Sequence, residues 1–597
     1  LVLVASSKPV IYILNCQSSL KKKKKKKKQA RPKHIAAKKR AYQDLWAKAM
    51  QALLSNGTAP DDEATLKQMQ DMHPARTEPL QPHQPTGEQV SVSVSQVKRL
   101  LFSAASNDRT CSDVFRWSFE YLFHVCATPF LRQLARLVAR LASADVPKSF
   151  GTILTCGHLV ALHKDSPQVQ ATRQQQGLNP RLRPVNVGCC FLKLAFQAAL
   201  NSKPAKAAAR AIDHIQLALG AVRGVERMAH LFTALWWKSY AVLGVDFSNG
   251  FNSMSRQLTS LFNLFYARDS LCFFAVGDDI RVVRGQQGSR MGCVLGSFGF
   301  DLVCQDVYEA ASKRVPSAIV RALTDDVNAG VPPQSTIQEQ LGLCGQLYTT
   351  LRDEAKRVAG LEVNTGKTKL LLPPQSNGSP IDLGTLQLPE DFPHDLQLVT
   401  DGLKVAGAPV GSDHFVEAFT SEALLDVERR ALAVQHVDPQ VGLGLLRLCV
   451  STAPTFLAQV TPPMLTHALF ADLDSKLVDS ALELLVPAGH SEPSYSEERR
   501  QRAVQRLQLP LRHKGAGIVS IALRHPIAYF ASVASCLALD PALAEHIDGL
   551  QRFAPDAHAR VLALLGPASS YSKPLEELIC RDDQSILLSS HHFTSVF

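Results

Sequence analysis

The spacing of apolar residues changes along the chain and divides it into regions. Residues 150–414 alternate short apolar runs, typical of buried strands, with segments whose apolar residues recur every three or four positions, typical of helices. Residues 415–597 keep only the helical spacing. The pattern therefore predicts a mixed α/β domain followed by a mostly helical region.

The part of the chain before residue 150 is predicted to contain three segments. Residues 1–57 form a basic, disordered tail that ends in a short helix over 41–57. Residues 58–90 are rich in proline and predict a linker. Residues 91–149 predict a helical extension with one apolar stripe, while three arginines line another helix face. The stripe consists of Leu131, Leu134, Val138 and Leu141.

Composition narrows the class of protein. A hydrophobic content of 46% and a charged content of 20% are typical of a globular chain of this length. None of the 13 cysteines forms a C-x-x-C pair, so neither a zinc site nor a redox motif is expected. No uncharged apolar run approaches the roughly 18 residues of a membrane span, and the first twenty residues lack a signal-peptide cleavage site. The composition leaves the oligomeric state open.

The net charge of +12 is concentrated at one end. Fourteen Lys and Arg residues and no acid occur in residues 1–40, so the remainder has a net charge of −2. The run Lys21–Lys28 predicts an intracellular protein with a nuclear address, or an arm that binds phosphate without specificity. Two alternatives stay open: a solvated arm without a partner, and a lysine run translated from adenine-rich DNA.

Aspartates stand at the ends of two predicted strands. "YAVLGVDFSNG" places Asp246 after a buried strand, and "IVRALTDDVNAG" places Asp325 and Asp326 at a turn between two strands. Such carboxylates repel one another unless a cation binds them, and two Mg²⁺ ions, or Mn²⁺, held in this way would support phosphoryl transfer. The simpler interpretation of Asp246 is a cap for the helix that follows it.

Three motifs resemble the palm of a reverse transcriptase, most closely those of non-LTR retrotransposons. "DFSNGFNS" is similar to the first motif, and "LTDD" is similar to the third without its aromatic residue. "QQGSRMG" is similar to the second, with Ser289 and Arg290 in place of an acidic residue and a proline. Upstream, "LVALHK" and "LRPVNVG" resemble finger segments. Downstream, "GLEVNTGKTKLLL" resembles the fourth motif and "LKVAGAPVGS" the primer-grip hairpin.

The resemblance implies an α/β right-hand polymerase fold. Residues 150–414 would form fingers and a palm with an antiparallel sheet, and 415–597 a helical thumb-like region. The implied activity is addition of deoxynucleoside triphosphates to a DNA primer on an RNA template. The implied metal ligands are Asp246, Asp325, Asp326 and the carbonyl of Phe247. The implied nucleotide-binding residues are Lys164, Arg183, Phe247, Phe251, Gln287, Gly288 and Lys367.

A second acidic doublet, "VGDD", contains Asp278 and Asp279. In the family the catalytic doublet follows the Gln-Gly helix, whereas this one precedes it. The flanking "CFFAV" and "IRVV" predict two strands joined by a polar hairpin turn.

Two other functions are compatible with the same motifs. A degenerate or domesticated copy would bind nucleic acid without polymerising. An RNA-templated RNA polymerase would use ribonucleotides and carry a small residue in place of Phe251.

Overall fold

The structure, a computed structural model, describes two compact units. The first comprises Leu1–Ser55, Val427–Ala453 and Ser475–Val519, and the second Asn56–Asp426, Pro454–Asp474 and Ser520–Phe597. The described residues are 33–76, 90–107, 112–125, 128–253, 265, 269–375, 378–485 and 497–565. The lysine run lies outside them. So does the segment 254–264, in which the spacing of Met254, Leu258, Leu261 and Leu264 predicts a helix.

The strands of the described residues all belong to the second unit. They are β1 Gly157–His163, β2 Leu182–Gly188, β3 Ala241–Val245, β4 Ser270–Val276, β5 Asp279–Gly285, β6 Ile319–Leu323, β7 Asp326–Val331, β8 Lys369–Leu371, β9 Gln397–Val399, β10 Gly402–Val405 and β11 Ala408–Gly411.

Helices make up most of the remainder. Up to the second half of the chain they are α1 Lys33–Ala41, α2 Trp46–Leu54, α3 Glu63–Asp71, α4 Val94–Asn107, α5 Phe119–Val125, α6 Thr128–Ala142, α7 Lys148–Leu154, α8 Pro167–Gln175, α9 Cys190–Leu200, α10 Lys203–Ala211, α11 Gly224–Trp237, α12 Gly250–Ser253, α13 Gly296–Arg314 and α14 Ile337–Glu354. Beyond them lie α15 Asp413–Val434, α16 Pro439–Leu445, α17 Thr455–Val460, α18 Pro463–Leu485, α19 Glu497–Gln508, α20 Ile521–Leu537, α21 Pro541–Glu545, α22 Asp548–Gln551 and α23 Ala554–Leu565. Short π-helical turns continue α14 over Ala355–Ala359 and α16 over Leu446–Val450, and a 3₁₀ turn covers Leu511–His513.

A five-stranded sheet in the order β6-β7-β3-β8-β9 forms the centre of the second unit. All neighbouring pairs are antiparallel except β8 with β9. Helices α13 and α14 pack on one face, against Leu243 and Val245, and α11 packs on the other, against Val242. Because helices cover both faces, β3 is apolar at nearly every position instead of alternating. The antiparallel sheet with covering helices agrees with the predicted mixed α/β class.

A smaller sheet of four strands has the order β2-β1-β4-β5. Its β4 and β5 form an antiparallel hairpin in which Val276 pairs with Asp279. Gly277 and Asp278 are therefore the two turn residues, and Gly277 has a φ of +58°. The hairpin predicted around "VGDD" is confirmed.

The segment predicted as a linker differs from that prediction over its first part. Thr58 forms a bridge with Leu162 of β1, and α3 buries Leu66 and Met69 against the four-stranded sheet. The prolines that suggested a linker follow this helix, and the three-residue spacing of Leu66, Met69 and Met72 was the signal that should have marked it. Residues 77–89 lie outside the described part.

The helical extension has the predicted arrangement. Leu131, Leu134, Val138 and Leu141 of α6 are buried in one cluster with α4, α5 and α9. Arg132, Arg136 and Arg140 are exposed. The arginine face of α6 is therefore the solvated side of a packed helix.

The predicted thumb-like region does not form one body. Residues 427–453 and 475–519 belong to the first unit, and the rest of 415–565 belongs to the second. The first unit also contains α1 and α2, in which Ala37, Ala41 and Met50 are buried. The expected tail therefore contains packed structure from residue 33. Its basic composition concealed the small apolar residues that α1 buries.

One stretch, Pro439–Val460, is long and apolar enough to cross a membrane by length and composition. Half of it is buried inside the protein, and core helices of soluble proteins pass the same test. Among the described cysteines, seven are buried and two are partly buried.

Candidate active site

Strand register brings three aspartates to one edge of the five-stranded sheet. Asp246 follows β3, whose Val245 pairs with Val327 of β7. Continuing this antiparallel register by one residue sets Asp246 opposite Asp326, with both side chains on one face. Asp325 lies in the two-residue turn immediately before Asp326. Carboxylates that are about eighty residues apart in the chain therefore meet at one edge.

Negative charge at this edge is only partly compensated. Burial is the largest cause that raises the pKa of Asp325, and the charges of Asp326 and Asp246 raise it further. Loss of hydration and the charge of Asp246 likewise raise the pKa of Asp326, while Lys404 and Lys367 oppose the rise. Asp246 and Asp326 therefore make it harder for Asp325 to ionise, and Asp246 does the same to Asp326, which a bound cation would reverse.

Lys367 is the cation in direct contact with this edge. Its Nζ lies 3.1 and 3.2 Å from the two carboxyl oxygens of Asp246. The turn that carries Lys367 also holds the backbone of Asp246: the amide of Asn364 donates to the Asp246 carbonyl at 2.7 Å, and the Asp246 amide donates to Oγ1 of Thr368 at 3.3 Å. The segment 364–368 therefore positions both the ammonium group of Lys367 and the carboxylate of Asp246.

Lys164 and Arg183 approach the same place from the four-stranded sheet. Lys164 follows β1, and Arg183 pairs with Leu162 in the adjacent strand. Loss of hydration lowers the pKa of Lys164, the charges of Arg183 and Lys367 lower it further, and Asp246 raises it. The three cations proposed to bind triphosphate are thus close enough to repel one another, on the side of Asp246.

Phe247 and Phe251 have different surroundings. The Phe247 side chain is buried in the core, so only its backbone could bind a metal. The Asp246 carbonyl and the Ser248 amide bond to residues 362–364, so alternation along the strand turns the Phe247 carbonyl to the other side. Phe251 is partly buried, with its ring 5.4 Å from that of Phe300.

The Gln287–Gly288 loop packs under the turn that follows Asp246. Gly288 has a φ of +63°, and a Cβ there would overlap the backbone of Phe251 and Asn252. The next amide, of Ser289, donates to the Phe251 carbonyl at 2.6 Å. Only glycine suits this position, because both the conformation and the close approach exclude a side chain.

The two residues that depart from the family's second motif are buried. Ser289 is almost fully buried, and Arg290 donates from its guanidinium to the backbone carbonyl of Thr155, at the start of β1. Arg290 therefore anchors the loop to the four-stranded sheet, a role that its place in the sequence did not suggest.

The donor set suits a divalent cation in its chemistry. Carboxylate oxygens are the ligands that Mg²⁺ prefers, and burial together with the charge of Asp246 raises the pKa of both Asp325 and Asp326. In the part of the chain that the structure describes, no three His, Cys, Asp or Glu side chains converge as a metal-binding group. The strands thus bring the three carboxylates to one edge of the sheet. Among the described residues, however, the side chains do not converge closely enough to form a metal-binding group.

Four residues near this site escaped the sequence prediction. Asp301 of α13 is fully buried, beside Thr324 and Asp325 of the turn. Burial, reinforced by Asp325, raises the pKa of Asp301 to about 8. An aspartate inside an apolar helix was the available signal. Lys404 of β10 carried no such signal, since an exposed lysine on a strand is common.

The other two missed residues are asparagines that tie the Asp246 turn to the segment expected to be a linker. Nδ2 of Asn249 and Nδ2 of Asn252 donate to the Met72 carbonyl at 2.9 and 3.1 Å. Residues 56–76 therefore support the candidate site as well as the four-stranded sheet.

Comparison with known proteins gives a distant structural match. No protein-family model and no curated protein matches the chain. A solved structure of telomerase from Candida albicans, in complex with a TWJ fragment of telomeric RNA, matches with a TM-score of 0.34 and 9% identity. The match covers 73% of this chain and 66% of the telomerase chain, so this chain spans just under two thirds of that protein's length.

Proposed function

We propose that this protein is a template-directed nucleic-acid polymerase, and specifically a reverse transcriptase of the non-LTR retrotransposon type. The observation that carries the proposal is the register of β3 with β7, which sets Asp246 beside Asp325 and Asp326. Cations from three separate segments surround the same edge. Acidic residues flanked by triphosphate-binding cations are what phosphoryl transfer requires.

In this proposal the carboxylates of Asp246, Asp325 and Asp326, with the Phe247 carbonyl, hold two Mg²⁺ ions, for which Mn²⁺ could substitute. When bound, such ions lower the pKa of the attacking hydroxyl and stabilise the leaving oxygen. Lys367 exchanges its contact with Asp246 for a phosphate oxygen as the nucleotide binds. Lys164 and Arg183 neutralise the rest of the triphosphate, since an incoming phosphate relieves the repulsion between them.

Phe251 and the Gln287–Gly288 loop form the proposed surface below the sugar. Their close backbone packing fixes the height of the Phe251 ring relative to Asp246. A bulky ring there opposes a 2′-hydroxyl, so the proposed substrates are deoxynucleoside triphosphates. The RNA template and DNA primer would bind through phosphate contacts, with the salt dependence that such contacts impart.

The test is primer extension on an RNA template with deoxynucleotides and Mg²⁺ or Mn²⁺, comparing the wild-type protein with Asp325→Ala. The matched control is Asp278→Ala, which removes the equivalent residue of the other acidic hairpin. Incorporation by the wild type and by the control, but not by Asp325→Ala, is expected. Equal incorporation by wild type and Asp325→Ala would contradict the proposed site.

A nucleic-acid-binding protein without polymerase activity is the second candidate. The observation that favours it is the absence of a converged three-donor metal group among the described residues, together with the altered motif at Ser289 and Arg290. This candidate predicts salt-sensitive binding of a primer–template duplex and no incorporation by any variant. Ribonucleotide incorporation that exceeds deoxynucleotide incorporation would instead indicate an RNA polymerase.

A further inference from the structure

The turn that carries Asp325 has an uncommon backbone conformation. Leu323 pairs with Asp326, so Thr324 and Asp325 are the two turn residues. Thr324 has a φ of +57°, in the left-handed region that β-branched residues rarely adopt. A residue stays in such a conformation only when its surroundings hold it there.

Gln216 supplies much of that restraint. Its side chain is fully buried, and its Oε1 accepts the Thr324 amide proton at 2.9 Å. Its Nε2 donates to the Thr324 carbonyl at 3.5 Å. One side-chain amide thus bonds both backbone polar groups of the left-handed residue.

The backbone around Gln216 is itself held against the sheet. The Leu217 amide donates to the Ala322 carbonyl at 2.8 Å, and the Ala322 amide donates to the Ile215 carbonyl at 2.9 Å. The Ala218 amide donates to Oε1 of Gln216 at 3.2 Å, which orients the side chain. Gln216 therefore has little freedom to follow the turn if the turn moves.

Tyr308 adds a second restraint from α13. Its side chain is fully buried, and its hydroxyl donates to the Thr324 carbonyl at 3.2 Å. The turn is thus held by two separate segments, both of which precede it in the chain.

We propose that Gln216 is a positioning residue that fixes the Thr324–Asp325 turn and so sets where the Asp325 carboxylate points. The inference rests on the proposed polymerase function, and it adds a residue that none of the three palm motifs contains. Gln216 touches no substrate in this proposal, because it is buried and acts through the backbone of Thr324. Its loss would let the turn relax toward a conformation in which Asp325 no longer faces Asp246.

Gln216→Met is the variant of choice, because methionine keeps the length and volume of the side chain and removes both hydrogen-bonding groups. Gln340→Met is the matched control. Gln340 is also buried, and its Nε2 donates to the carbonyls of Ser239 and Val331, both at 3.0 Å and away from the turn. Both variants lose a buried amide, and only Gln216→Met frees the turn.

In single-nucleotide primer extension we expect kcat of Gln216→Met to fall about tenfold or more, as misplacement of a reacting group predicts. KM for the nucleotide should stay within about twofold, because the cations that bind triphosphate are untouched. Gln340→Met should keep the wild-type kcat even if both variants melt at lower temperature. Equal kcat in the two variants would overturn the inference.

Hydrogen exchange supplies a readout that needs no activity. The Thr324 amide should exchange about tenfold faster in Gln216→Met than in the wild type, since a protecting hydrogen bond is lost. Exchange at the same amide should be unchanged in Gln340→Met. If the wild type fails to polymerise, the proposed function fails, and the exchange of this amide still decides whether Gln216 holds the turn. An unchanged rate in Gln216→Met would refute the inference.

Discussion

Two hairpins of this protein carry an acidic doublet in the same geometry, and only one lies at the candidate site. In the first, Val276 pairs with Asp279 across a two-residue turn, and in the second, Leu323 pairs with Asp326 across a turn of the same length. Asp278 and Asp279 are exposed at the end of the four-stranded sheet. Asp325 and Asp326 face a third carboxylate, that of Asp246.

The difference lies in the strands beside each hairpin. The second hairpin adjoins β3, so the residue that ends β3 is brought opposite its doublet. Both hairpins lie at the edge of a sheet, with β5 and β6 as the outer strands, but the inner neighbour of the first hairpin is β1, which runs parallel to β4 and contains no acidic residue. An acidic doublet in a tight turn is therefore not a site by itself, and a neighbouring strand that contributes another charged group makes it one.

The residue before the doublet also differs between the two hairpins. Gly277 and Thr324 have nearly the same φ, +58° and +57°. A Cβ at Gly277 would meet no described atom within 4 Å, and the Gly277 amide donates to the Asp61 carbonyl at 3.0 Å, so this turn combines open space for a side chain with one backbone hydrogen bond to another segment. Thr324 is held by hydrogen bonds from Gln216 and Tyr308. A strained residue with dedicated partners is typical of a functional turn.

The largest expected effect comes from removing the third carboxylate. Asp246→Ala leaves the second doublet intact and should reduce primer extension by ~10³-fold or more, because one of the three carboxylates that would hold the metal ions is lost. Asp279→Ala in the first hairpin should leave extension unchanged. Single-turnover incorporation measures both. Activity of Asp246→Ala within tenfold of the wild type would show that the doublet works without its neighbour.

A smaller effect is expected from the cation that pairs with Asp246. Lys367→Ala should raise KM for the nucleotide about tenfold with a lesser change in kcat, because it removes a phosphate contact made on binding. Arg281→Ala, next to the first hairpin and paired with Glu63 at 3.3 Å, is the control and should leave KM unaltered. Steady-state kinetics with one nucleotide separates the two parameters. A KM equal to that of the wild type would remove Lys367 from the nucleotide site.

Substituting the residue before each doublet by its counterpart from the other hairpin tests how strongly each turn is restrained. Gly277→Thr should lower the free energy of unfolding by about 1 kcal/mol, because a β-branched residue is strained in the left-handed region that glycine adopts freely. Thr324→Gly should change stability less, since the strain relieved offsets the freedom gained by the unfolded chain. Urea unfolding of both variants gives the values. Equal losses would mean that Thr324 is not restrained by its partners.

The smallest expected effect is a pH dependence in metal-free buffer. The folded-state pKa of Asp325 is raised above its ordinary 3.8, so folding favours the protonated form. Stability is therefore lost as pH rises through the raised pKa, and the cost persists at pH 7. Asp325→Asn should be more stable than the wild type at pH 7.5, by up to about 1 kcal/mol, with a smaller gain at pH 4.5.

Urea unfolding in EDTA at the two pH values measures this gain. Asp278→Asn, at an exposed position, should change stability by less than about 0.5 kcal/mol at either pH. A gain for Asp325→Asn that does not depend on pH would argue against the repulsion described for Asp325.

Much of the second unit could be predicted because its elements have strong local signals. The strands before Asp246 and around both doublets, the long helix after the glycine-rich loop and the hairpin over residues 402–411 all lie where the sequence indicates. The apolar stripe of α6 is likewise buried. Each of these elements depends on spacing within about twenty residues.

Prediction was poorer where packing depends on distant partners. Helix α3 was taken for linker because prolines follow it, and its apolar side is explained only by the sheet that it covers. The helices after residue 415 gave no sign that they divide between two units. Asp301 and Gln216 were missed because neither stands in one of the three palm motifs, and their importance comes from contacts with the Thr324–Asp325 turn.

The sequence by itself determined which residues form strands and helices, because hydrophobic spacing and turn residues act over short distances. It also placed an aspartate at the end of a strand and a second and third at a turn. Only the tertiary structure decided which doublet gains a neighbour, since that depends on which strand pairs with β3. The tertiary structure also decided that the Gln216 side chain restrains the turn, because its hydrogen bond to Thr324 joins segments more than one hundred residues apart.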